Sequence, residues 1–146
     1  MVKLVREVSI EQEYIRETLD VLQEALSRPE KDVIEWSAIG ACLHHCYTGM
    51  ENMLKRILKF QQVLLSRSAS SHKDLLDVAI QQGIISAELS ERLDVYRGFR
   101  HFFVHAYGVL LREEELSPLA EALPDVVAQF EQEIEQFLDV LSRASS

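Results

Sequence analysis

Residues 39–57 read IGACLHHCYTGMENMLKRI, and apolar side chains recur through this stretch at helical spacing, about every 3.6 residues. We predict a long helix from about Asp32 to Ser66, with one apolar side that packs against the rest of the protein. Gly40 and Gly49 either kink this helix or allow another helix to approach closely. The apolar side carries Ile39, Cys42, Cys46, Met50, Leu54, Ile57 and Leu64.

The sequence on either side continues the helical pattern. A first helix starts at Ser9, the N-cap of a capping box with Gln12, and ends before Pro29. Residues 66–74 form the clearest loop. Three more helices are predicted: 73–83 ended by Gly83, 86–108 ended by Gly108, and 117–141 with Pro118 and Pro124 near helix starts.

No segment alternates between apolar and polar residues with the period of a strand. The fold class is therefore all-α, an antiparallel bundle of about five helices. A chain of 146 residues is large enough for one hydrophobic core, and we expect a single domain over residues 1–146.

The composition excludes several classes of protein. No run of about 18 uncharged apolar residues exists, so no membrane span is predicted. The first residues, MVKLVREVSIEQEY, carry charges where a secretory signal needs an apolar run. We expect a cytoplasmic protein in which Cys42 and Cys46 stay reduced.

Charge is distributed unevenly along the chain. The formal net charge is −9, which argues against coating of nucleic acid through bulk charge. Residues 51–112, however, hold nine Lys/Arg against six Asp/Glu, and both flanking segments are acidic. The sequence therefore allows a local anion site but not a large basic surface.

The basic middle segment contains the densest set of reactive side chains, YRGFRHFFVHAYG at residues 96–108. Arg100 offers a planar fork that matches phosphate oxygens, and His105 is suited to proton transfer near neutral pH. Together they suffice for cleavage of RNA, whose 2′-hydroxyl attacks the adjacent phosphate without a metal ion. One histidine cannot easily serve both sides of the phosphorus, and a two-fold homodimer would supply a second copy.

Helical geometry limits this interpretation. Five residues turn about 500°, which leaves Arg100 and His105 about 140° apart on a regular helix. Arg100 and Tyr107 share a face, as do His101 and His105. Arg100 and His105 converge only through side-chain reach, a distorted helix or a second subunit; otherwise the pair is incidental.

A zinc site is a further alternative. Cys42 and Cys46 are four residues apart, as are His101 and His105, and two thiolates with two imidazoles would suit tetrahedral zinc. Buried cysteine is more commonly a small core residue. We favour the core interpretation and assign no metal and no cofactor.

The spacing R-x(4)-H-x-Y, formed by Arg100, His105 and Tyr107, resembles the signature of the HepT-like ribonuclease toxins of the HEPN superfamily. The polar His101 directly after the arginine fits that superfamily as well. A weaker resemblance lies in the stretch HHCYTGMENMLKRI. Its Tyr47 and Glu51 resemble the Y-x-x-x-E stretch on an earlier helix of these proteins.

The resemblance implies a metal-independent endoribonuclease that acts as a homodimer, with both motifs lining a cleft at the interface. In that family pattern, His105 is the general acid/base and Arg100 steadies the scissile phosphate. The products are a 2′,3′-cyclic phosphate and a 5′-hydroxyl. The resemblance also implies a type VII-like toxin–antitoxin pair, whose MntA-like minimal nucleotidyltransferase adenylylates Tyr107.

Other residues have two interpretations each. Arg97 extends the phosphate track or forms a salt bridge with Asp94, and His101 orients the arginine or completes local packing. Tyr47 and Glu51 support the site, although an ordinary pair on a helix face is favoured. Lys55, Arg56 and Lys59 guide RNA or, as we slightly prefer, are solvated.

Two rival functions remain alongside the ribonuclease. One is a catalytically silent HEPN module that binds a nucleotidyltransferase or RNA. The other is a plain helical dimerisation domain whose arginine and histidine are incidental.

Overall fold

Five helices form the secondary structure of residues 1–65, 71–106 and 113–145, which the computed structural model describes. No strand occurs in these ranges, and none of their helices is long and apolar enough to cross a membrane. The predicted all-α bundle of about five helices is confirmed. The helices are α1 (Val2–Ser27), α2 (Val33–Phe60), α3 (Ser71–Gln81), α4 (Ala87–Ala106) and α5 (Glu113–Ser145).

Helix α2 lies at the centre and packs against each of the other four helices. From Ile39 to Leu58 it is buried around most of its circumference, as expected for a helix that is apolar on several sides. Its core side chains include the predicted stripe from Ile39 to Ile57. Leu64, the last predicted member, is 95% exposed and lies beyond the end of the helix.

The predicted end of α2 at Ser66 was wrong, because the helix stops at Phe60 in a Schellman motif. Gln62 has a left-handed φ of 60°, and the Val63 N–H donates to the Leu58 carbonyl at 2.9 Å. Such a position usually holds glycine. The glutamine there gave no signal in the sequence.

The start of α2 at Asp32 is confirmed and has a full capping box. The Asp32 carboxylate accepts from the Ile34 N–H at 2.9 Å, and the Glu35 carboxylate accepts from the Asp32 N–H at 3.1 Å. The predicted start of α1 at Ser9 was wrong, because α1 begins at Val2. Burial of Leu4 and Val8 carries the apolar stripe past Ser9.

Gly49 lets α1 approach α2 closely, one of its two interpretations. A Cβ atom on Gly49 would lie 2.8 Å from Cγ1 and 3.0 Å from Cδ1 of Ile15, which is completely buried. Glycine is therefore required by the distance between the helices rather than by a kink.

The loop predicted at residues 66–74 was too long at its C-terminal end, because α3 already begins at Ser71. Helix α3 ends at Gln81 and is followed by Gly83 with a φ of 75°, as predicted. Gly108, the predicted end of the next helix, lies outside the described residues.

Helix α5 starts four residues earlier than predicted and contains both prolines within it. Pro124 therefore does not lie near a helix start. Each proline removes one backbone donor, yet the buried face from Leu116 to Ile134 passes both prolines and holds the helix against the core.

The first half of α4 is fixed to α5 by polar contacts. The Glu133 carboxylate accepts from the Ser86 N–H at 2.6 Å and from its hydroxyl at 2.9 Å, just before α4 begins. Arg92 donates to Asp125 at 2.8 Å, and the Tyr96 hydroxyl donates to the Leu119 carbonyl at 2.7 Å. These contacts fix α4 to α5, and α4 also packs against α2 and α3.

Candidate active site

Arg100 extends from α4 toward the start of α3. Its Nη1 lies 3.3 Å from Nε2 of His72, and the side chain is half-buried. Its Nε is buried without a hydrogen-bond partner among the described residues. No carboxylate of the described residues lies within salt-bridge distance of this guanidinium. The positive charge of Arg100 is therefore not neutralised by an ion pair in this part of the chain.

His72 connects Arg100 to a buried carboxylate on α2. Its Nδ1 lies 2.9 Å from Oε2 of Glu51, whose side chain is 2% exposed. A carboxylate only accepts and a guanidinium only donates. His72 satisfies both neighbours when Nδ1 carries the proton and Nε2 carries the lone pair. The contacts therefore define a chain of three side chains, Glu51, His72 and Arg100.

Tyr47 lies one turn before Glu51 on α2, and its side chain is completely buried. Burial raises the pKa of its hydroxyl well above the usual range, and the negative charge of Glu51 adds to that effect. The Tyr47 hydroxyl lies close enough to the Glu51 carboxylate for a weak hydrogen bond, although the contact falls short of standard hydrogen-bond geometry. The sequence favoured an ordinary pair on a helix face; instead, both side chains point inward toward α3 and α4.

Arg97 and His44 lie at the edge of the same group. Arg97 Nε donates to Asp94 Oδ1 at 2.6 Å, which confirms the salt-bridge interpretation. That bond raises the pKa of Arg97, and the negative charge of Glu51 contributes. Burial lowers the pKa of His44, and the positive charge of Arg100 lowers it further. We call the residues of this group the polar cluster: His44, Tyr47, Glu51, His72, Arg97 and Arg100.

The motif residues after Arg100 are only partly described. His101 is exposed and follows Arg100 on α4, about 100° further around the helix. His105 lies in the last turn of α4, but its side chain is outside the described part, and Tyr107 is outside it entirely. The convergence of Arg100 with His105 therefore stays a prediction.

His72, like His44, is a member of the polar cluster that the sequence did not indicate. It lies within residues 66–74, which the sequence assigned to a loop. It is 28 residues before Arg100 and 21 after Glu51, and no helical or motif spacing relates such positions. Only the packing of α3 between α2 and α4 brings the imidazole there.

Cys42 and Cys46 are core residues, as favoured over the zinc interpretation. Burial raises the pKa of both thiols, and that of Cys46 rises to about 12. Within the described ranges, no group of three or more His, Cys, Asp or Glu residues is arranged to hold a metal ion. His101 is exposed on α4, whereas Cys46 is completely buried on α2.

Arg56, considered for RNA guidance, is engaged elsewhere. Its Nη1 donates to Glu7 at 2.8 Å and its Nη2 to Glu11 at 3.4 Å, which ties α2 to α1. This arginine therefore belongs to the helix pairing rather than to the polar cluster.

The helical architecture of the chain is similar to that of several solved structures. The crystal structure of a toxin–antitoxin with AMP-PNP has a TM-score of 0.64 at 18% identity, over 90% of this chain and 93% of that one. A mutant of the toxin–antitoxin MntA–HpeT gives 0.65 at 18% identity, over 90% and 94%. YutE from Bacillus subtilis, a cytosolic protein of unknown function, gives 0.63 at 17% identity, over 88% and 91%. At these identities the likeness establishes the fold.

The family follows from the sequence itself. The family described as HepT-like protein matches residues 38–141, and the chain belongs to it. The matched range runs from α2 into α5 and contains every member of the polar cluster. The predicted resemblance is thereby confirmed. A comparison with curated proteins gave no match.

Proposed function

We propose that this chain is a metal-independent endoribonuclease and the toxin of a type VII-like toxin–antitoxin pair, acting in the cytoplasm as a single domain over residues 1–146. The observation that carries the proposal is the state of Arg100. Its guanidinium is held by the fold, has no carboxylate partner among the described residues, and begins the family-type motif that continues to His105. Such a cation is ready to bind a phosphate.

The chemistry needs no group beyond the protein and the RNA. The 2′-oxygen attacks the adjacent phosphorus, and the bond from phosphorus to the 5′-oxygen breaks. One proton leaves the 2′-hydroxyl and one is delivered to the 5′-oxygen, which gives a 2′,3′-cyclic phosphate and a 5′-hydroxyl. Arg100 balances the charge that develops on the phosphate, and His105 transfers a proton.

The remaining motif residues take supporting roles in this proposal. Tyr47 and Glu51 hold the α2 side of the site, while Arg97 and His101 flank Arg100 on α4. A homodimer brings two copies of α4 to one cleft. The net charge of −9 confines the RNA contact to few phosphates.

The antitoxin in this proposal is an MntA-like minimal nucleotidyltransferase that transfers AMP to Tyr107. Support comes from two of the structural neighbours reported above, which are toxin–antitoxin assemblies by their descriptions. AMP adds bulk and negative charge two residues after His105, and both repel an incoming phosphate.

The decisive experiment is cleavage of an end-labelled RNA in excess EDTA, with intact mass used to select unmodified protein. Wild type should cut and leave cyclic phosphate ends, whereas His105→Ala should not cut. His45→Ala is the matched control, because His45 is exposed on α2 and packs against Tyr14 of α1. Full cleavage by His105→Ala would remove this residue from the mechanism. No cleavage by wild type over a broad panel of RNAs would favour the silent binding module.

A second experiment tests the regulation. Wild type incubated with an MntA-type nucleotidyltransferase and ATP should gain the mass of one AMP and stop cutting. Tyr107→Phe should keep its helicity and gain no mass. Adenylylation of Tyr107→Phe at another residue would contradict the assigned switch.

A further inference from the structure

Ribonucleolytic transesterification needs two proton transfers on opposite sides of the phosphorus, and the family-type motif contains one catalytic histidine. We propose that His72, oriented by Glu51, is the proton acceptor for the 2′-hydroxyl, so that each protomer carries its own base. His105 is then the acid that protonates the 5′-oxygen. This inference rests on the proposed ribonuclease function.

The orientation of His72 supports this role. The Glu51 carboxylate accepts from Nδ1 at 2.9 Å and is almost completely buried, so it fixes both the tautomer and the direction of the ring. Nε2 is left with its lone pair on the side of Arg100. A buried carboxylate that holds Nδ1–H and leaves Nε2 as the base is a recurrent arrangement in enzymes.

The position of His72 supports it as well. Nε2 lies 3.3 Å from Nη1 of Arg100, so a phosphate oxygen bound by this guanidinium is a close neighbour of the imidazole. The reacting 2′-hydroxyl belongs to the ribose directly attached to that phosphate. His72 is also 37% exposed at its side chain, which leaves room for RNA to reach it.

Arg100 and RNA would exchange partners at this site. Without substrate, Arg100 donates to the lone pair of Nε2. When a phosphate takes up the Arg100 donors, Nε2 is released to accept the 2′-hydroxyl proton. The imidazolium that forms is then stabilised by the Glu51 carboxylate on its other side.

A substrate with a modified leaving group distinguishes the roles of His72 and His105. At the position that wild type cuts, the bridging 5′-oxygen is replaced by sulfur, which leaves as a thiolate without protonation. Loss of the acid should then matter little, and loss of the base should matter as before. His72→Ala should lower cleavage about 100-fold or more on both substrates, while the defect of His105→Ala should shrink strongly on the sulfur substrate.

His72→Asn separates catalysis from positioning. An asparagine amide nitrogen can replace Nδ1 as donor to Glu51, but nothing replaces the Nε2 lone pair. We expect His72→Asn to be as inactive as His72→Ala. Recovery of wild-type cleavage in His72→Asn would overturn the proton-acceptor role and make His72 a positioning residue.

The controls keep this inference distinct from the proposed function. His45→Ala should cut like wild type, and circular dichroism should give equal helicity for all variants. If wild type cuts, His105→Ala is inactive and His72→Ala cuts normally, the inference fails and the ribonuclease stands. If wild type cuts no RNA, the proposed function fails and the role of His72 fails with it.

Discussion

Arg56 and Arg100 each reach from one helix to another, but their surroundings differ. Arg56 on α2 meets two carboxylates of α1, Glu7 at 2.8 Å and Glu11 at 3.4 Å. Arg100 on α4 meets the imidazole of His72 at 3.3 Å and no carboxylate in the described part of the chain. The first charge is balanced within the fold, and the second is not.

The difference indicates what each position is for. An arginine that joins two helices is stabilised by acidic partners, and Arg56 has them. The Nε atoms of both arginines are buried without a described partner, so the contrast lies in the carboxylates. A half-buried guanidinium beside an imidazole, with no carboxylate partner in the described residues, is costly for folding alone. Positions that violate local stability rules in this way are typical of functional sites. We infer that the comparison separates a structural cation from one that binds an anion.

The sharpest way to break this comparison is to remove each arginine in turn. Arg100→Ala should lower RNA cleavage by roughly 100- to 1,000-fold, because it removes a donor aimed at developing negative charge. Arg56→Ala should leave cleavage unchanged. The measurement is the initial rate on end-labelled RNA in EDTA, with intact mass used to exclude modified protein.

The free energy of unfolding should show the reverse order, with the larger loss for Arg56→Ala. Arg56→Ala should lower the free energy of unfolding by about 1 kcal/mol, since its ion pairs are partly exposed. Arg100→Ala should cost less than Arg56→Ala, or be neutral. Equal rate losses for the two variants would mean that Arg100 has no special relation to the substrate.

Local signals in the sequence predicted most of the fold. Asp32 and Glu35 form a cap from their own chemistry, and Gly83 ends α3 through its own backbone freedom. The misplaced boundaries were set by tertiary packing or by unusual residues. Gln62 adopts a left-handed φ without being glycine, and α5 continues through Pro124 because its buried face continues.

The candidate site was predicted only where it is local in sequence. Arg100, His105 and Tyr107 lie within eight residues and form a motif, so sequence spacing identifies them. Glu51 was named, but its burial was not foreseen. His72 was missed because its neighbours come from two other helices, and only the assembled bundle brings them together.

The close contact of α1 with α2 offers the next test of the structural side. Gly49→Ala should lower the free energy of unfolding by about 1–2 kcal/mol, because the new Cβ clashes with buried Ile15. The cost of this clash exceeds the gain in helix propensity from alanine. Gly98→Ala is the matched control, since a Cβ there meets nothing within 4 Å. It should raise stability by about 0.5–1 kcal/mol.

Denaturant unfolding of the two glycine variants measures this difference directly. The sign of the change in the free energy of unfolding is the critical result. A stabilising Gly49→Ala would mean that α1 is not held against α2 at this distance. Cleavage by Gly49→Ala should stay near the wild-type rate, because the polar cluster lies against α3 and α4.

The inner side of α2 gives a prediction on pH. Burial raises the pKa of Cys46 from 9.0 to about 12 in the folded state. A raised folded-state pKa leaves stability complete below pH 9 and lost as the pH rises toward 12. Urea unfolding should therefore give about 1 kcal/mol less stability at pH 10 than at pH 8. Cys46→Ala should weaken this dependence, with the Cys42 thiol and the Tyr47 and Tyr96 hydroxyls, whose pKa values burial also raises, accounting for a remainder. An identical slope in variant and wild type would contradict the assignment.

The smallest expected effect concerns two buried tyrosines, Tyr47 on α2 and Tyr96 on α4. Tyr96→Phe removes a hydroxyl that donates to the Leu119 carbonyl at 2.7 Å, and it should cost about 1 kcal/mol. Tyr47→Phe removes a buried hydroxyl whose contact with Glu51 falls short of standard hydrogen-bond geometry, and it should be neutral or slightly stabilising. Thermal unfolding of both variants measures the difference. If Tyr47→Phe costs as much as Tyr96→Phe, the Tyr47 hydroxyl makes a full hydrogen bond, and the neighbouring Glu51 carboxylate is the first candidate for its acceptor. If it is neutral while cleavage falls, the hydroxyl belongs to the site with Glu51 rather than to the core.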